Sequence, residues 1–193
     1  PYMAPVLIIW YRKDLFDQKG IKVPATWDDW LVASSKVGGV DSATNKQVYP
    51  VSGYLSNVHA HVMWQNLIGP HNGITFDKAW KVVVNTVPQN LHAMEFFLKL
   101  SQYFQPGAVN ANYGDTGNLF VSGTLAMTMT STTLANAFMK AHPEMIPKTA
   151  TTPIPFGSDG DHTRGAFGDC YSWAVTALSK NIDLTKKFVQ WFM

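Results

Sequence analysis

The chain has 193 residues, 46% of them apolar, 15% charged and 13% aromatic, and a formal net charge of +2. So weak a positive balance, with no Lys/Arg-rich run to concentrate it, gives no argument for a nucleic-acid partner, and none is expected. The longest uncharged apolar run, Val6 to Tyr11, is far short of the ~20 residues that cross a bilayer, and the single cysteine, Cys170, rules out an internal disulfide.

Residues 6–11 read as a buried strand, being short, apolar and rich in β-formers. A charged step, Tyr11-Arg12-Lys13-Asp14, follows, with Arg12 read as a solvated turn charge. Thr26 is placed to cap a helix whose first turn holds Asp28 and Asp29, favourable to the helix dipole. That helix runs to about Val37, where Gly38-Gly39 stops it. A second helix is expected from Asn57 to Ile68, ended by Gly69-Pro70. Residues 73–77 and 82–85 look like short strands or extended links.

The clearest periodicity comes next. Leu91, Met94, Phe97 and Leu98 recur at three- and four-residue steps, with Thr86 as the cap and Pro106-Gly107 as the stop. Asp115 is expected to cap a short helix through Val121. Residues 125–130 alternate Leu, Met, Met with Ala, Thr, Thr, the pattern of a half-buried strand. Another helix is expected over 132–142, then an extended proline-marked stretch to Pro155, a glycine-rich turn, a strand at 171–177, and a last helix capped by Asp183. The chain opens inside a strand and closes on Gln190-Trp191-Phe192-Met193 without a helix stop. Both ends therefore read as cut; the plainer alternative is an ordinary domain with sticky termini.

Three blocks carry a resemblance. The first is Leu7 to Phe16 with Gly20, Pro24, Thr26-Trp27 and Trp30. The second is Phe120-Val121-Ser122-Gly123-Thr124-Leu125-Ala126-Met127-Thr128-Met129. The third is Thr152-Pro153-Ile154-Pro155, a glycine-containing loop, Trp173-Ala174-Val175, Ser179-Lys180-Asn181 and Lys187-Phe188-Val189. In this order and spacing they resemble family 1 of the extracellular solute-binding proteins of ABC importers, the group that includes maltose-binding-like proteins.

The resemblance implies the α/β, type II periplasmic-binding-protein fold, with two lobes around a ligand cleft. Residues 1–148 would form most of the second lobe, and residues 149–193 a return segment of the first. It implies a carbohydrate or similar polar solute as ligand, a membrane permease of an ABC importer as partner, and a periplasmic or lipid-anchored extracellular location. It implies no cofactor, no metal and no catalysis. Trp10 and Tyr11 would lie near the hinge, with Trp10 read as core first and cleft second.

Sugar clefts need aromatic faces for the apolar side of the ring and side chains that both donate and accept for its hydroxyls. With Phe 11, Trp 7 and Tyr 7 the chain has the supply, although most aromatics serve as core. The resemblance places His59, His61 and Trp64 on a cleft-lining helix start, with His61 where a stacking ring is common. It places Thr130, Ser131 and Thr133 on the turn after the Ala-Met strand. There Thr130-Ser131-Thr132-Thr133 is wholly hydroxylic, whereas the family often has Gly and Trp. In the third block Gly168-Asp169 stands where a Gly-Gly pair is common. Asp169 would accept sugar hydroxyls as a carboxylate or simply hold the turn, and Tyr171 lies on the same strand face.

Two other chemistries were open. His59-x-His61 would point both rings the same way on a strand but about 200° apart on a helix, and no second Cys/His cluster accompanies it. Cys170 as a hydrolase nucleophile is the enzyme alternative, though no Gly-x-Ser-x-Gly elbow or cysteine-protease context surrounds it.

Overall fold

The computed structural model describes residues 6–56, 59–134, 139–160, 168 and 172–192. Its centre is a five-stranded mixed sheet ordered β2-β3-β4-β1-β5. The strands are β1 (Leu7–Arg12), β2 (Gly39–Asp41), β3 (Lys46–Val51), β4 (Leu125–Ser131) and β5 (Thr149–Thr152). β1 runs antiparallel to both β4 and β5, with Leu7 opposite Ser131 and Ile9 opposite Thr152. β3 and β4 are parallel and β2 closes a hairpin onto β3.

The helices are α1 (Lys13–Lys19), α2 (Trp27–Val37), α3 (Ala60–Ile68), α4 (Pro88–Ser101), α5 (Tyr113–Val121) and α6 (Ile182–Phe192). Alternate residues of β1 supply two cores. Leu7, Ile9 and Tyr11 join the larger one with Trp27, Trp30, Met63, Leu67 and Phe96 from α2, α3 and α4. Trp10 packs on the smaller one, built from Phe120, Val121, Leu125, Leu134, Met139 and Met145. The sheet is thus covered on both faces.

That double cover corrects the expected half-buried strand. All seven residues of β4 are buried. The polar half of its alternation is accommodated because Thr128 donates its hydroxyl to Ser52 at 3.0 Å inside the protein.

α2 is capped as expected: the Thr26 hydroxyl accepts from the Asp29 N–H while the Asp29 carboxylate accepts from the Thr26 N–H. For α5 the cap is Asn112 instead of Asp115, which takes the third position of the same reciprocal motif. Thr86 does not cap α4. Pro88, with its preset φ, fixes the helix start one residue after Val87, and the Thr86 hydroxyl turns back to the Val83 carbonyl at 3.1 Å.

The buried face of α4 is Asn90, Ala93, Phe96 and Leu100. The expected apolar stripe lies on the outside, with Leu91 and Leu98 about 60% exposed (61% and 58%). Asn90 is turned inward in its place because its amide donates to the carbonyls of Ile74 and Val84, tying down the preceding loop. α3 begins at Ala60, and residues 57–58 lie outside the described residues. Over 132–142 the described part is a turn at 132–133, Leu134 in helix, and a 3-10 turn at Met139–Ala141. Where a strand was expected over 171–177, the described residues 172–177 form none, and residue 171 lies outside the described residues. α6 starts at Ile182, so Asp183 sits in its first turn.

Arg12 is not a solvated turn charge. Only 3% of it is exposed. Its guanidinium donates in a fork to both oxygens of Asp14 at 2.7 Å, and reaches Asp41 at 3.3 Å. β1 therefore ends in a buried charge cluster that ties α1 to the β2–β3 hairpin.

Candidate functional site

The C-terminal end of β4 meets the N-terminal ends of β1 and α5, and polar groups converge there. Ser131 is the node. Its backbone N–H donates to the Tyr113 hydroxyl at 2.9 Å, and its carbonyl accepts from the Trp10 indole at 3.3 Å. Its own hydroxyl accepts from both the backbone N–H and the hydroxyl of Thr133, each at 3.0 Å. The capping of α5 by Asn112 holds Tyr113 at the first helical position, beside the strand end.

Around Tyr113 stand two more rings. His59 lies roughly parallel to it with centroids 6.4 Å apart, and Tyr54 meets it edge-on at 6.3 Å. The His59 Nδ1 is 3.4 Å from the Ser56 hydroxyl. Tyr54 is fully buried; burial, helped by the neighbouring Tyr113, pushes its phenol well above the ordinary tyrosine range, so it stays neutral. The Thr130 hydroxyl is buried without a hydrogen-bond partner. The result is a half-buried surface of Trp10, Tyr113 and His59 rings interleaved with the hydroxyls of Ser131 and Thr133. Such a surface offers ring faces and two-way hydrogen bonding.

Of the residues expected from sequence, the fold gathers Trp10, His59, Ser131 and Thr133, while Thr130, the neighbour of Ser131 in β4, is wholly buried. His61 and Trp64 line a separate cavity of about 400 Å³ with Leu55, Ala60, Met94 and Phe97. The two histidines of His59-x-His61 thus face different surroundings. Tyr11 is core, packed on Phe16 with centroids 4.9 Å apart. Gly168 is exposed and bridges to Val6 beside the strand end. Asp169, Cys170 and Tyr171 lie outside the described residues. Tyr113 was not foreseen, because no motif marks it: only the three-dimensional approach of α5 to β4 brings its hydroxyl to Ser131. Elsewhere, His71, His92 and Asp159 bring one ligand atom each within 4.8 Å of one another.

The sequence profile of the bacterial extracellular solute-binding proteins matches residues 1–193. The chain belongs to that family. The family is one of substrate-binding proteins for transport. A binding protein of Brucella abortus (strain 2308) is 26% identical over 184 residues, covering 94% of this chain and 43% of that protein. A solute-binding protein of Agrobacterium radiobacter K84, solved with ribitol, superposes with a TM-score of 0.79 at 22% identity. That match covers 100% of this chain and 48% of the other. A solute-binding protein of Thermotoga lettingae solved with α-D-tagatose gives a TM-score of 0.80 at 19% identity, covering 99% of this chain and 48% of the other. These superpositions establish the α/β fold of type II periplasmic-binding proteins. The chain spans about half the length of each relative it matches.

Proposed function

We propose that the chain is the greater part of the second lobe of an ABC importer's solute-binding protein, and that its ligand is a neutral polyol or sugar. Residues 1–148 belong to that lobe and residues 149–193 return toward the first, with β5, the edge strand paired to β1, as the start of that return. The ligand-bearing wall is the Trp10–Tyr113–His59–Ser131–Thr133 surface; Gly168, Asp169 and Tyr171 would complete its rim. Ligand that touches both lobes stabilises the closed clamp by its higher affinity for that state. Rotation is taken up near Trp10 and Tyr11, where β1 enters the lobe. The closed form is then read by a membrane permease, in the periplasm or at a lipid-anchored position outside the cell.

The observation that carries this reading is the family match over the whole chain, joined to rings and hydroxyls that converge at one strand end. Two structural relatives whose ligands are ribitol and α-D-tagatose support the polyol-or-sugar class. The shortage of charge on this wall favours a neutral solute. The test is a thermal-shift screen of the intact protein against pentitols, hexitols, ketohexoses and disaccharides. One or more of these is expected to raise the melting temperature without being consumed. A screen in which only charged solutes stabilise the protein would overturn the proposal.

A further inference from the structure

On the side of α2 away from the strand end, the turn after α3, the middle of α4 and the loop after β5 come together. His71 closes the 3-10 turn Gly69–His71, His92 sits on α4, and Asp159 lies in the loop. The Asp159 Oδ2 is 3.6 Å from His71 Nε2 and 3.1 Å from His92 Nδ1. A cation held tetrahedrally by nitrogen and oxygen at ~2.0–2.1 Å has ligand atoms ~3.3 Å apart; the two distances to Asp159 already stand near that spacing, and all three ligand atoms lie within 4.8 Å of one another.

The buried histidine is the second, independent observation. Its side chain is 1% exposed, and neither ring nitrogen lies within normal hydrogen-bond distance of a partner: Nε2 is held 3.6 Å from Asp159 and Nδ1 lies against the Gly157 backbone. Trp27 lies against one side of the ring with centroids 4.3 Å apart. The Nδ1 edge faces Gly157, where an added Cβ would collide with the ring. A buried imidazole whose nitrogens are only loosely partnered is a costly arrangement. It is also what a metal-binding histidine looks like without its ion: one nitrogen aimed at the site, the other near backbone. The remaining contacts hold the loop in place. The Asn72 side chain donates to the Asp159 carbonyl at 2.8 Å, and Ser158 donates to the other Asp159 oxygen at 3.3 Å.

We propose that His71 Nε2, His92 Nδ1 and Asp159 Oδ2 form a binding site for one divalent transition-metal ion of the zinc type. Two imidazoles and one carboxylate are a donor set that suits zinc and fits poorly with calcium or magnesium, which take oxygen. A fourth position opens onto a cavity of about 490 Å³ that Glu95, Asp28 and Lys99 also line, so water completes the shell. Burial keeps His71 below the ordinary histidine value, and Asp159 is held below the usual carboxylate value, first by its hydrogen bond with His92. The ion would staple the loop at 156–160 to α4 and to the turn after α3. Since that loop follows β5, it would fix where the chain leaves this lobe.

The test is zinc titration by calorimetry on the intact protein, stripped with chelator, without tag histidines and without added solute. One zinc per chain is expected, with a rise in melting temperature. His92→Ala and Asp159→Ala each leave part-exposed positions and are expected to keep the fold. Each should weaken zinc by more than the roughly 10–100-fold cost of losing an outer partner. His142→Ala, at an exposed pair with Glu144, should change nothing. His71→Ala is not relied on, because its burial makes misfolding an alternative cause. Absence of stoichiometric binding, or affinity and thermal shift unchanged in both His92→Ala and Asp159→Ala, would overturn the site. With no solute present, the outcome is independent of whether the protein binds a sugar.

Discussion

Arg12 organises the base of the lobe. It is the one guanidinium in the described core, and two carboxylates satisfy it. Removing one partner of a buried ion pair strands the other, at a cost of about 3–5 kcal/mol. Arg12→Ala is expected to lower stability by that amount in urea unfolding, and Arg12→Lys to recover only part, since an ammonium cannot reproduce the fork. Burial alone would raise the Asp41 carboxyl. Hydrogen bonds from the Ala43 N–H and the Thr44 hydroxyl, together with Arg12, outweigh burial and hold it below the usual value. A carboxyl lowered by folding adds stability that is full above its unfolded value, about 3.9, and is lost as pH falls through the folded one. Urea midpoints are therefore expected to drop steeply below about pH 4, and less steeply in Asp41→Asn. Sequence alone presented Arg12 as a turn charge because both of its neighbours, Tyr11 and Lys13, are ordinary at a strand exit. Its second partner, Asp41, is 29 residues away.

Among the elements, what is local was legible. The Thr26 cap, its Asp29 partner and the Gly38 stop all depend on adjacent residues, and the structure has them as read. The errors came where a distant layer decides. β4 looked half-buried because the alternation of Met with Thr is the signature of one wet face; nothing in the segment reveals that α5 and the 3-10 turns cover the second face. α4 looked driven by Leu91, Met94 and Leu98 because they share a helical stripe, but Asn90 is drawn inward by carbonyls of the preceding loop. Two predictions separate these faces. Leu100→Ala, at a fully buried position, is expected to cost about 2–5 kcal/mol. Leu98→Ala, on the outer stripe, should stay within about 0.5 kcal/mol by the same denaturation assay. Asn112→Ala removes the acceptor for two N–H groups at the start of α5 and is expected to cost about 1 kcal/mol. Because that cap also positions Tyr113, the variant should weaken solute binding as well.

At the scale of the molecule, the two ends of the described structure differ. Residues 6–160 build a sheet covered on both faces. α6 buries none of its residues, and Leu184, Phe188 and Trp191 align on one face at 68%, 53% and 80% exposure. An apolar face of this kind is ordinarily covered; in the proposed two-lobe protein it packs within the first lobe, which also supplies the opposite wall of the cleft. The family was readable because its three sequence blocks fall on β1–α2, on α5–β4 and on the β5 return, which together frame the strand end. The candidate wall was only half readable. Ser131 and Thr133 lie on the turn that directly follows a block, whereas Tyr113 is near none, and His61 was grouped with His59 although helix geometry turns the two apart. The most direct test of the account is calorimetric titration of the intact protein with the polyol or sugar that stabilises it most in the screen, repeated on Tyr113→Ala and His61→Ala. The account predicts one site, affinity about tenfold weaker in Tyr113→Ala from the lost ring contact and anchor, and affinity unchanged in His61→Ala. No binding of any neutral polyol or sugar, or loss of binding in His61→Ala with Tyr113→Ala unaffected, would contradict it.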